Sequence, residues 1–188
     1  MAVNVCPSRF LNAGIVEHII ATLRDLELPP ECLEIEITER MLMDSAPIVR
    51  EQLEDLRSHG VRISIDDFGT GHSSLSYLSS LPVDVLKIDR SFVQNVTASS
   101  EQSVLVEAIV AMAGKLGLHV VAEGIEQESE KEFLVACGCD LLQGYLLGHP
   151  EPPELIAEQL RLQSHHPHET ETIDPNFKGQ LRINLGAT

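Results

Sequence analysis

The regular alternation of short apolar runs with amphipathic stretches constrains this chain more than any other feature. The apolar runs fall at Ala2–Val5, Leu33–Thr38, Arg62–Asp66, Val85–Asp89, His119–Glu123 and Leu141–Leu146, and the segments between them carry helical periodicity. Six βα units in series predict a parallel sheet, because a strand that feeds a helix returns to the sheet in the same direction. That sheet is either doubly wound or closed into a barrel. The dinucleotide-binding form of the doubly wound fold is disfavoured, since no G-x-G-x-x-G follows the first strand.

The helices carry their own punctuation. Pro47 suits a first helical turn after Asp44 or Ser45, Gly60 and Gly117 stop two helices ahead of the next strands, and Pro152-Pro153 open a last helix that runs to about Leu162. Beyond it the sequence turns polar, with His165, His166 and His168 clustered. The expected organisation is one α/β domain over residues 1–162 and a poorly ordered tail over 163–188, its histidines solvated rather than built into a metal site.

Charge narrows the partners. Thirteen basic residues against 29 acidic ones give a formal charge of −16, which excludes a protein that tracks nucleic-acid polymers by counterion release. A small anionic ligand is still allowed where carboxylates hold divalent cations that meet its phosphates. No run approaches the ~20 apolar residues of a membrane helix, and the start has no basic segment leading into an apolar one, so a cytoplasmic location is expected. Cys6, Cys32, Cys137 and Cys139 include no CxxC pair, and a bridge across Cys137-Gly138-Cys139 is strained, so four reduced thiols are expected.

Strand parity carries the functional signal. Alternate residues of a strand face opposite sides. With Leu33, Ile35 and Ile37 on one face, Glu36 lies on the other; Ile63 and Ile65 set Asp66 inward; Leu86 and Ile88 set Lys87 and Asp89 inward; Val120 and Ala122 set Glu123 inward. Asn4 and Gln143 follow the same rule on the first and last strands. All lie near the C-terminal strand ends, where parallel barrels and open α/β sheets place their sites. A single inward carboxylate is ordinarily an ion pair. Here Glu36, Asp66, Asp89 and Glu123 converge with Asn4, Asp67 stands just beyond, and Lys87 alone offsets them. Burying those charges together requires cations, and an oxygen-only donor set selects hard ions, Mg²⁺ or Mn²⁺. The loop Phe68-Gly69-Thr70-Gly71-His72-Ser73-Ser74 is suited to approach a ligand and to move. Asp67-Phe68-Gly69 spells a kinase motif, but no Gly-rich loop, strand lysine of the V-A-I-K type or H-R-D loop accompanies it.

Read in order, Val3-Asn4-Val5, Glu36-Ile37-Thr38-Glu39, Asp66-Asp67-Phe68-Gly69-Thr70-Gly71, Lys87-Ile88-Asp89-Arg90-Ser91-Phe92-Val93, Val121-Ala122-Glu123-Gly124-Ile125-Glu126 and Gln143-Gly144-Tyr145-Leu146 resemble the motif series of EAL domains, from residue 1 to about 160. The resemblance implies a (β/α)₈ barrel that opens cyclic di-GMP to linear pGpG with two Mg²⁺ or Mn²⁺ ions. It implies Asn4, Glu36 and Asp66 as ligands of one ion, Asp66 and Asp67 on the second with Asp89 and Glu123 nearby, and Lys87 as the group that orients the attacking water or stabilises the transition state. Glu39 and Glu126 resemble supporting glutamates, the first tied to the mobile loop and the second to catalysis. Gln143 with Gly144, and Asp67 again, fall on the substrate side. A homodimer through the face around the mobile loop, and an upstream sensory or diguanylate cyclase domain, are further implications.

The chain departs from the family in one respect. Two further strands are expected ahead of Asn4, the second bearing the Glu-Ala-Leu motif whose glutamate is a metal ligand, and Glu107-Ala108-Ile109 within the helical pattern Gln102–Leu116 does not replace it. An N-terminally truncated barrel of about six βα units is therefore expected, with little or no turnover by the chain alone. Two other readings stay open: a catalytically inactive module that binds cyclic di-GMP or a protein partner, and a Mg²⁺-dependent barrel of the enolase type with Lys87 as base.

Overall fold

The computed structural model describes residues 1–10, 14–39, 47–69, 78 and 81–165. Six strands alternate with helices in the expected order: β1 (Ala2–Asn4), α1 (Pro7–Phe10), α2 (Ile15–Asp25), β2 (Glu34–Thr38), α3 (Pro47–Ser58), β3 (Arg62–Phe68), β4 (Val85–Ile88), α4 (Arg90–Val93), α5 (Ser100–Lys115), β5 (His119–Ala122), α6 (Glu128–Cys137), β6 (Leu141–Leu142) and α7 (Pro153–His165). Every pairing is parallel, and the strands lie in the order β1-β2-β3-β4-β5-β6. A doubly wound sheet reverses its strand order at a switch point, and this one never does. Its winding is that of a barrel wall, with β1 and β6 as the outer strands.

The helices form where the apolar spacing allows one face to be buried. In α3, which begins at Pro47, the buried residues Val49, Leu53 and Leu56 fall on one stripe. In α5, Val106, Val110 and Ala113 do the same, and Ser99 caps the helix by accepting from Gln102 N–H. Gly60 and Gly117 follow α3 and α5 at φ +95° and +72°, so both helices stop where a residue without Cβ can take a left-handed turn. The outward strand residues Ile35, Ile37, Ile63, Ile65, Leu86, Ile88, Val120 and Ala122 share one core with these helix stripes and with Leu134 of α6.

The register of β3 against β4 is irregular. Ile65 pairs with Leu86 and Phe68 with Ile88, so Asp66 and Asp67 together stand opposite the single residue Lys87, the arrangement of a β-bulge. Asp67 has φ +54°. A bulge in a strand of strict alternation brings two consecutive carboxylates to the same rim.

At the opposite rim, two aspartates repeat one device. Asp84, just before β4, accepts Ile63 N–H on Oδ2 at 3.0 Å and Arg57 Nε on Oδ1 at 2.8 Å. Asp140, just before β6, accepts Val120 N–H at 2.7 Å. Each satisfies a backbone donor at the start of the preceding strand. Asp84→Ala is expected to lower stability by about 1–2 kcal/mol, the cost of a part-buried N–H left without its acceptor, and Asp84→Asn to recover part of it. Urea unfolding with an unchanged slope checks this.

The first five strands differ from the expected runs by one or two residues at an end, and larger shifts follow. The last strand ends at Leu142 rather than Leu146 because Ile125 claims the chain: Gln143 N–H still donates to Ala122 O, but Ile125 N–H donates to Gln143 O and its carbonyl accepts Leu146 N–H, turning residues 144–147 off the sheet. The helix expected over Gln102–Leu116 is α5, Ser100–Lys115, and the last helix continues to His165. The tail from residue 166 and most of the loop after Gly69 lie outside the described residues, as do Asp44 and Ser45. All four cysteines are free thiols; burial pushes the Cys139 thiol up to about 12 and also raises Cys137, so neither is a reactive thiolate. Among the described residues no helix is long and apolar enough to cross a membrane.

Candidate active site

The inward side chains meet at the C-terminal strand ends around Lys87, which is only 2% exposed. Its Nζ lies 2.6 Å from Glu123 Oε1, 2.7 Å from Glu36 Oε1 and 3.3 Å from Asp66 Oδ1. Asn4 Nδ2 donates to Glu36 Oε2 at 3.0 Å, so β1, β2, β3 and β4 and the residue that follows β5 each contribute one member. Beneath them Glu34 and Ser64 are buried on the same inner face. The i, i+2 parity that selects Glu36 selects Glu34 as well, one step deeper.

The electrostatics are lopsided. Burial alone favours a neutral Lys87, yet Glu123, Asp66 and Glu36 outweigh it and raise its pKa, which keeps it an ammonium. Burial raises Glu123 against the lowering effect of Lys87, with Asp66 and Glu36 adding to the rise. Asp67 is raised by burial, then by Asp66 and Asp89. Three carboxylates around one ammonium carry excess negative charge, and Asp67 and Asp89 add to it.

The other predicted residues are placed differently. Asp89 is the N-cap of α4, its Oδ1 accepting Ser91 N–H at 3.0 Å. Glu39 is buried and accepts Gly69 N–H at 3.0 Å, which ties it to the first residues of the loop that follows β3. Glu126 is exposed and receives Gln94 Nε2 at 3.4 Å; it is not drawn in to Lys87. Gln143 is half-buried beside Ile125. Gly144 has a packing reason of its own, since a Cβ there would stand 2.1 Å from Ile125 O and 2.2 Å from Ile125 N. Gly144→Ala is expected to cost about 1–3 kcal/mol through forced displacement of that backbone, read as a lower thermal midpoint.

The donor set suits a hard divalent cation. Every candidate ligand is an oxygen, and among the described residues Asp66 Oδ1 is buried without a hydrogen-bond donor, with Lys87 Nζ 3.3 Å away. Among the described residues no three His, Cys, Asp or Glu side chains enclose a point as they stand, and Lys87 lies against three of the carboxylates. The acceptor left over at Asp66 and the surplus charge are what an ion would satisfy.

Residues 1–150 match the EAL domain family model. The chain is 46% identical over 156 residues to the bifunctional diguanylate cyclase/cyclic di-GMP phosphodiesterase MucR of Pseudomonas aeruginosa, covering 83% of this chain and 23% of MucR. It is 45% identical over 161 residues to the cyclic di-GMP phosphodiesterase NbdA of the same organism, covering 86% and 21%. The chain thus spans about a fifth of the length of these curated relatives. Among solved structures it superposes on the MucR phosphodiesterase in complex with c-di-GMP at a TM-score of 0.77 and 46% identity, covering 82% of this chain and 63% of that one. On the EAL domain of Mycobacterium smegmatis DcpA the values are 0.81 and 39%, covering 86% and 72%. On the manganese/cy-diGMP complex of Klebsiella pneumoniae BlrP1 they are 0.73 and 34%, covering 77% and 37%. With its sequential parallel wall, its carboxylate rim around Lys87 and a family match over most of its length, the chain belongs to the EAL domain family.

Proposed function

We propose that this domain hydrolyses cyclic di-GMP to linear pGpG with two Mg²⁺ or Mn²⁺ ions. The observation that carries the reading is the surplus of carboxylates at the barrel rim, where the buried Asp66 Oδ1 has no donor among the described residues beyond its 3.3 Å ion pair with Lys87. Asn4, Glu36 and Asp66 would hold one ion, and Asp66 and Asp67, with Asp89 and Glu123 nearby, the second. When bound, the ions supply positive charge for the attacking and leaving oxygens of an in-line displacement.

The chain's own groups do the rest. Lys87, held as an ammonium, donates a hydrogen bond to the attacking water or to a phosphate oxygen as negative charge builds there. Glu123 holds Lys87 in place through its 2.6 Å contact. The water oxygen bonds to phosphorus as one P–O3′ bond breaks, and a proton goes to the departing 3′-oxygen, which leaves a linear dinucleotide. Glu39 fixes the start of the loop after β3 by holding Gly69 N–H; on the resemblance, Glu126 would support catalysis, and Gln143, Gly144 and Asp67 would meet the substrate. On the resemblance, the same reading includes a homodimer, a cytoplasmic setting and an adjoining sensory or diguanylate cyclase domain.

Because β1 and β6 are outer strands of an open wall, the assay uses two samples: the 188-residue chain, and a chimera with the leading barrel strands of the MucR phosphodiesterase domain fused ahead of Met1. The expected result is pGpG released by the chimera and abolished by EDTA, with little or none from the chain alone. A folded chimera that binds cyclic di-GMP without converting it would point instead to a non-catalytic binding module. One that does neither overturns the reading.

A further inference from the structure

Glu130 carries a buried carboxylate, 1% exposed, that the proposed chemistry does not use. It is the third residue of α6, and its Oε2 accepts Glu126 N–H at 3.0 Å and Gln127 N–H at 3.1 Å, capping the helix. Its Oε1 reaches away from that helix to Asn95 N–H at 3.1 Å. Asn95 has φ +60° and lies just past α4, the short helix that Asp89 caps. One carboxylate therefore joins the loop that follows Asp89 to the loop that carries Glu123 and Glu126. The two loops touch elsewhere as well. Gly124 sits so close to Arg90 that a Cβ on it would stand 2.3 Å from Arg90 Cβ, and Gln94 donates to Glu126.

A helix cap needs one oxygen. The second oxygen of Glu130, aimed across to a different loop, is what a local cap does not explain. A glutamine has one acceptor and cannot serve both arms.

We propose that Glu130 is a positioning residue: it locks the Asp89 and Glu123–Glu126 loops into one unit and so sets the spacing of the Asp89 and Glu123 carboxylates while touching neither. Its consequence for the metal rests on the function proposed above; its structural half does not. The test compares Glu130→Ala and Glu130→Gln with the unaltered chain by residue-resolved amide exchange and by Mn²⁺ titration. In Glu130→Ala, Asn95 should lose protection together with Glu126 and Gln127, and Mn²⁺ affinity should fall about 10-fold, the effect of losing support behind a ligand. In Glu130→Gln, which keeps the cap and the fold, Asn95 alone should open, with affinity between the two. Asn95 protection unchanged in both variants, or Mn²⁺ affinity within twofold of the unaltered chain beside an opened Asn95, overturns the proposal. If the unaltered chain binds no Mn²⁺, the titration is repeated in the chimera, where absence of binding would overturn the proposed function, and the exchange pattern still decides whether Glu130 joins the loops.

Discussion

Lys87→Met will lower stability by about 3–5 kcal/mol at neutral pH in EDTA, the cost of removing one partner from a buried ionic set. The side chain is 2% exposed and within 3.3 Å of three carboxylates, so methionine keeps much of the volume and removes the cation that offsets them. The loss should depend on pH in a fixed direction. Without Lys87, the one group that lowers Glu123, burial and the neighbouring Asp66 and Glu36 raise that carboxyl further. A carboxyl whose folded pKa lies above its unfolded value stabilises the fold while protonated and loses that contribution as pH rises through the folded value. The deficit should therefore shrink toward acid pH and be largest at neutral pH and above. A divalent cation that enters the same set should restore part of the stability, in proportion to how tightly it binds the folded state. Urea unfolding at two pH values, with EDTA or with Mn²⁺, checks all three.

Glu123→Ala should reduce conversion of cyclic di-GMP by about 10²–10³-fold, the range for losing a positioned donor to the developing negative charge, with a smaller change in KM. Glu123 follows β5 directly and makes the shortest contact to Lys87, 2.6 Å, so its removal both frees the ammonium and subtracts an oxygen from the ion site. Stability should move the other way, or hardly at all, because deleting one of three carboxylates around a single ammonium relieves repulsion. That opposition between activity and stability separates a functional carboxylate from a structural one. Steady-state kinetics of the chimera and urea unfolding of the same variant measure the two sides.

Much of this site was legible before any coordinates because parity and strand position both point the same way. Asn4, Glu36, Asp66, Lys87 and Glu123 fall on one face by counting in twos from apolar neighbours, and they meet where the count places them. Counting in twos has no way to place Asp67. It stands beside Asp66 at the same rim only because the β3–β4 register slips between Ile65 and Phe68 and Asp67 takes φ +54°. Strict alternation cannot announce a bulge. The early end of β6 was hidden for a related reason, since Leu141–Leu146 carries a strand-like pattern to its end while the backbone of Ile125, far away in sequence, takes the bonds that turn it off the sheet. Glu130 was missed because, at the third position of a helix, it reads as an ordinary capping residue; its second oxygen matters only through Asn95, 35 residues earlier. Whether the sheet is doubly wound or barrel-like was also beyond periodicity, because it depends on which strands are neighbours. The sequential order answers it.

The most direct test of the central claim, that the oxygen set around Lys87 is a divalent-metal site, is anomalous diffraction at the manganese edge from crystals grown with MnCl₂ and cyclic di-GMP. Anomalous peaks are expected against Asp66, with Asn4, Glu36 and Asp67 among the ligands and Lys87 drawn back from Asp66. Density for the nucleotide with no peak at Asp66, or with manganese held only elsewhere on the chain, would contradict it.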